Sequence, residues 1–149
     1  MLRHLFNSWH WHNRYSVGTH FFTDWQGDET VTFVPDYQYI YLITSIAATY
    51  TPNAATGSNY LQAKLMQEAT PLLRATHATA CNNSLTNRIY LMRDVDILFA
   101  RSPDNAQHGK LSPDFILYEG RHLQISQINP AALPTWSDTV ITFRKWRRP

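Results

Sequence analysis

The hydrophobic pattern organises the chain around Tyr37–Glu68, which reads YQYIYLITSIAATY, then TPNAATGSN, then YLQAKLMQE. Two runs rich in β-branched, aromatic and aliphatic residues flank a nine-residue connector with one Pro, one Gly and two Asn. This pattern predicts two strands joined by a loop. Alternation along Tyr37–Thr51 sets Ile40, Leu42, Ile46 and Ala48 on one face, and Tyr39, Tyr41, Ile43, Ala47 and Thr49 on the other. Both faces carry apolar groups, so the strand is expected to be central and covered on both sides. At about 3.3 Å per residue it would span more than roughly 40 Å. A bend or bulge is therefore expected near Thr44-Ser45 or Ala47-Ala48.

The same theme of strand, polar break and strand continues downstream. Tyr60–Glu68 alternates, with Leu61, Ala63 and Leu65 pointing inward. Gln62–Leu73 has a composition that a helix could also use, but Pro71 and the Thr-rich continuation favour strand. Leu72–Ala80 reads as a softer strand, and Thr86–Arg93 as a clearer one carrying Ile89 and Leu91. Asp96–Arg101 follows, with Ile97 and Phe99 inward. Ser102–Ser112 reads as a polar loop, Pro113–Tyr118 as a short segment, and Glu119-Gly120 as a tight turn before the strand Arg121–Ile128. Asn129–Pro134 is a second loop, and Ser137–Trp146 is the last strand.

Upstream, Glu29–Val34 is a weak strand ended by Pro35-Asp36. Residues 1–29 show no clean period and hold three of the five Trp and four of the seven His. They are read as an extended aromatic arm, with a short strand near Thr19–Thr23, that buries its aromatics either on its own domain or on a neighbour. The organisation expected is an arm over 1–29 and an all-β domain over 30–149. That domain is a jelly-roll-like β-sandwich of about eight strands.

Composition changes this picture little. The 149 residues fit one domain with a real core. Only 16% are charged and 13% are aromatic, and the net charge of +2 is too small to imply nucleic-acid binding by the whole chain. The lone Cys81 excludes an intrachain disulfide and a Cys-rich zinc site. No run is long and apolar enough for a membrane-spanning helix, and the N-terminus does not read as a signal peptide.

The pattern from Val34 onward resembles small jelly-roll or β-sandwich virion proteins of bacteriophages, found as capsid decoration (cement) proteins and as neck or tail accessories. The segments that carry the likeness are VPDYQYIYLITSIAATYT, PNAATGSN, YLQAKLMQ, LYEGRHLQISQI and DTVITFRKW. They lie within about three-quarters of the chain and form a pattern of hydrophobicity and turns rather than a catalytic motif. Where the family pattern has an Asn-Arg pair after the loop glycine, this chain has Ser58-Asn59-Tyr60, and the arm has no counterpart. The resemblance implies a non-enzymatic structural protein without cofactor or metal, assembled into a virion in the host cytoplasm. It implies contact with the major capsid protein or other virion proteins, and self-association as a dimer or trimer.

Several local groups invite chemistry. His10 and His12 share a face if extended, and with His4 or His20 could hold a metal; histidines among interface aromatics explain them as well. Cys81 has no nucleophile signature around it. Asp94 and Asp96 lie beside Arg93 and Arg101, which suits a salt-bridged turn. Asp104 and Asp114 are loop residues. A cupin-type metal enzyme would need inward His and Glu ligands, and the strands offer His122 and little else. A carbohydrate- or receptor-binding sandwich is the alternative from another class, since Tyr, Trp, Asn and Gln can stack on sugars and bond to them. Expected partner contacts are Trp9, Trp11, Phe21, Phe22 and Trp25 in the arm, as aromatic anchors. At the C-terminal end they are Arg144, Trp146, Arg147 and Arg148, to which a solvated tail is the simpler alternative.

Overall fold

The structure, a computed structural model, describes residues 15–53, 59–81, 84–93, 106–128 and 133–148. The strands are β1 (Ser16–Phe21), β2 (Trp25–Gln26), β3 (Thr30–Phe33), β4 (Tyr39–Thr51), β5 (Tyr60–Gln67), β6 (Thr70–Thr76), β7 (Asn87–Met92), β8 (Ala106–Lys110), β9 (Ile116–Leu117), β10 (Arg121–Ile128) and β11 (Thr135–Arg147). A seven-stranded sheet runs β1-β11-β4-β7-β8, with β2 also on β11 and β9 on β4. A four-stranded sheet runs β3-β10-β5-β6. The sheets pack together as the β-sandwich expected from the alternating pattern. No helix occurs among the described residues, so the helix-compatible composition of Gln62–Leu73 yields to strand pairing.

The alternation of β5 and β10 puts Leu61, Ala63, Leu65, Leu123 and Ile125 inside. They meet Ile43, Ile46, Ile89, Leu91 and Ile141 of the larger sheet in one core. Gly120, with φ of 81°, supplies the turn before β10.

The long strand β4 is central, between β11 and β7. Its inward residues are Tyr41, Ile43, Ile46, Ala48 and Tyr50. This corrects the two faces expected above, and the reason is the bulge, which falls at Thr44, one of the two places where the length of the strand called for it. Thr142 faces Ser45 while Phe143 faces Ile43, so Thr44 is an extra residue that reverses the parity of the strand. Its hydroxyl bonds Thr142 O at 3.0 Å. A second irregularity lies on β11 between Ser137 and Val140, beside Asp138 with φ of 47°.

Two further expectations are corrected. Residues 15–29 lie in the sandwich rather than in an arm: β1 pairs along β11, and Trp25 is 2% exposed. Residues 1–14 lie outside the described residues. The polar stretch Ser102–Ser112 contains the strand β8, parallel to β7. Gly109 makes this approach possible, because a Cβ there would sit 2.5 Å from Thr76 O and 2.7 Å from a Leu91 methyl. The segment Asp96–Arg101 lies outside the described residues.

A buried chain of hydrogen bonds crosses the core at one end. Trp136 Nε1 donates to Gln127 Oε1 at 2.7 Å, Gln127 Nε2 to Asn59 Oδ1 at 2.9 Å, and Asn59 Nδ2 to Tyr50 OH at 2.8 Å. Trp25 stacks on Trp136 at 5.3 Å and donates to Thr139 Oγ1 at 2.9 Å. Asn59 is fully buried, so the last residue of the connector belongs to the core. Satisfied networks of this kind hold partners in one geometry. Gln127→Leu deprives Trp136 and Asn59 of these bonds and should cost about 1–3 kcal/mol for each orphaned atom. Gln124→Leu, at an outward position of the same strand, should stay within about 0.5 kcal/mol. Urea unfolding midpoints check both.

Candidate interface on the outer sheet face

The side chains of β1 alternate cleanly. A Cβ on Gly18 would lie 2.6 Å from the buried Phe143 ring, and the His20 ring lies 5.0 Å from Phe33 of the opposite sheet. Gly18 and His20 therefore face inward, and Val17, Thr19 and Phe21 face out. Val17 is 65% exposed and Phe21 70%.

The register extends this outward set across the sheet. Phe21 lies beside Val140, Val140 beside Ala47, Ala47 beside Tyr90, and Tyr90 beside His108. One row of apolar and aromatic groups thus crosses five strands. Tyr90 and His108 stack at 5.4 Å, and the Arg88 guanidinium lies 5.6 Å from the Tyr90 centroid. Arg88 is held there by Thr49 Oγ1 at 2.8 Å and Asp138 O at 3.1 Å. Burial lowers the basicity of His108, so the row carries no charge of its own at neutral pH. The outward positions around it bring Arg88, Lys110 and Arg144, and the exposed Asp138 lies at the β11 bulge beside Arg88.

The lower end of this face is closed by its own residues. Ile40, Leu42, Ile116 and Trp146 form a second apolar cluster with Tyr118 against it. Tyr15 packs on Trp146 at 5.5 Å, and Arg144 sits 5.0 Å from the Tyr15 centroid.

The expected contact residues now separate. Trp9 and Trp11 lie outside the described residues. Phe21 is exposed on the row. Phe22 turns back to pack on His20 at 4.7 Å and is partly buried. Trp25 and Trp146, each 2% exposed, are covered by the chain itself and not open to a partner: Trp25 stacks on Trp136 in the main core, and Trp146 lies in the second cluster against Tyr15. Arg144 borders the face, and Arg147 is exposed at the strand end. Arg148 is tied down rather than a free tail. It bonds Tyr37 O at 3.2 Å and Glu119 at 3.1 Å, a surface pair contributing under about 1 kcal/mol. Val17, Tyr90 and His108 were not singled out in the sequence. Val17 had a signal, the Val17-Thr19-Phe21 alternation; His108, in a stretch without large apolar residues, had none.

Other chemistry finds little footing. Among the described residues no group of three His, Cys, Asp or Glu could hold a metal ion. His4, His10 and His12 lie outside the described residues, as do Asp94, Asp96, Arg101 and Asp104; His20 faces the core. Cys81 is 4% exposed, and burial pushes its thiol up to about 12, so it is not a nucleophile at neutral pH. His77 is structural. Its Nε2 accepts the Leu61 N–H at 2.9 Å, so the proton sits on Nδ1, which donates to Thr79 O at 2.6 Å. Comparison with protein-family models, curated proteins and solved structures finds no match.

Two outcomes follow. Iodoacetamide at pH 8 should leave Cys81 unmodified in the folded protein and alkylate it after unfolding, as read by mass spectrometry. Burial holds the His77 pKa below its ordinary value of 6.5, so the unfolded chain binds protons that the folded chain refuses. Stability should therefore be full above about pH 6.5 and fall as the pH drops towards 5. His77→Gln should flatten that decline, leaving the share due to His108, which is also held low.

Proposed function

We propose that this chain is a structural protein of a bacteriophage particle, attached to the capsid as a decoration or cement protein. The observation that carries the reading is the outward row Phe21–Val140–Ala47–Tyr90–His108, bordered by Arg88, Lys110 and Arg144. An apolar centre with a polar, cationic rim suits a partner surface that is apolar in the middle and acidic around it. The virion setting comes from the likeness in strand and turn pattern to small phage sandwiches. The mechanism is burial of surface across subunit boundaries. A contact of roughly 1,600 Å² is enough for stable attachment, and repetition over a shell adds avidity. The partner is the major capsid protein or another virion protein, and no catalysis is involved. A neck or tail accessory position would use the same contact.

Mass spectrometry of particles purified from cells carrying the reading frame tests this. The expected result is this chain at a fixed ratio to the major shell protein; recovery only in the soluble fraction would overturn it. Tyr90→Ala should weaken attachment about tenfold or more while changing stability by less than about 1 kcal/mol.

A further inference from the structure

The strand β1 is paired on one side by β11, and among the described residues no strand lies on its other side. The Phe22 N–H donates to Thr139 O at 2.9 Å, which sets the alternation of this ladder. Phe22, His20, Gly18 and Ser16 direct their backbone groups towards β11. Val17, Thr19 and Phe21 direct theirs to the open edge. The residues with available N–H and C=O groups are therefore also the ones with outward side chains.

The remaining edges are blunted. The edge at β8 is bridged through Gly109 to His77, just beyond β6. The strand β6 carries Pro71 and Arg74, with an irregularity in its ladder, and β3 has only four residues. By contrast β1 has six residues, SVGTHF, with no charged residue, no proline and no register shift. Natural proteins rarely leave such an edge unpaired.

We propose that β1 pairs antiparallel with β1 of a second copy, about a two-fold axis at Thr19, joining the two larger sheets into one. The register comes from the chain itself. The pairs must join residues whose backbone groups face the edge, and a two-fold interface must be self-complementary. Centring on Thr19 sets Val17 against Phe21 of the second copy and Thr19 against its equivalent. On the inner side it sets Gly18 against His20, small against large. This register brings the two exposed apolar groups together twice, in cross-strand pairs of the kind that stabilise sheets. The main chain supplies the hydrogen bonds, as in other strand additions. The inference gives a form to the self-association that the phage resemblance implies, and it rests on the proposed function only for its setting. Its test reads oligomeric state alone, so its failure is distinct from failure of shell attachment.

Sedimentation equilibrium of the full chain should give the mass of a dimer. V17K/F21K sets ammonium against ammonium in both pairs and should halve that mass with an unchanged far-UV circular dichroism spectrum. V17D/F21K sets carboxylate against ammonium and should restore the dimer, with dissociation as salt rises. Should V17K/F21K lose its fold, Thr19→Pro removes an N–H aimed at the open edge and should give the folded monomer. A monomeric or trimeric wild-type chain overturns the proposal. So does a folded V17K/F21K or Thr19→Pro chain that stays dimeric, or a V17D/F21K chain that stays monomeric.

Discussion

The sandwich depends on how β4 and β11 lie against each other, thirteen residues along thirteen. Two irregularities, one on each strand, cancel. Thr135–Ser137 and Phe143–Arg147 share one register, and only Val140–Thr142 against Ser45–Ala47 is displaced by a residue. A shift of one residue exchanges the faces of a strand. Here it lets both strands keep large groups inside at both ends, Tyr50 with Trp136 at one and Tyr41 with Phe143 at the other. Without the extra residue at Thr44, Tyr41 and Ile43 could not face the same core as Ile46 and Tyr50.

This ladder also places the polar chain and the outer face. Trp136 points inward beside Tyr50, so Gln127 of the opposite sheet can bond it and reach Asn59. The displaced middle turns Ala47 and Val140 outward together, which makes the row from Phe21 to His108 continuous. The core and the candidate interface are thus set by one registration.

Much of the fold was legible in the residues. The alternation of Leu61, Ala63 and Leu65, the Glu119-Gly120 turn and the strand Arg121–Ile128 needed only period and turn chemistry. The length of Tyr37–Thr51 pointed to a bulge, but not to which residues it would turn inward, because parity depends on the partner strand. AQHGK carries no large apolar side chain, so β8 left no hydrophobic signal; its position comes from backbone pairing and from the space at Gly109. Trp25 and Trp146 show why composition misled: a large aromatic that fills a core and one that anchors a partner look alike without knowledge of what lies opposite. Of the interface, Phe21 was legible as an apolar group on a short strand. Tyr90 and His108 became neighbours only through the parallel pairing of β7 and β8.

In the proposed function the outer face of the larger sheet is the contact surface, and the four-stranded sheet is turned away from it. Hydroxyl-radical footprinting of the chain, free and on purified particles, tests this most directly. The account predicts that oxidation of Tyr90, Met92 and Phe21 falls on the particle while that of Leu72, exposed on the smaller sheet, is unchanged. Protection of Leu72 with Tyr90 and Met92 still fully oxidised would contradict it.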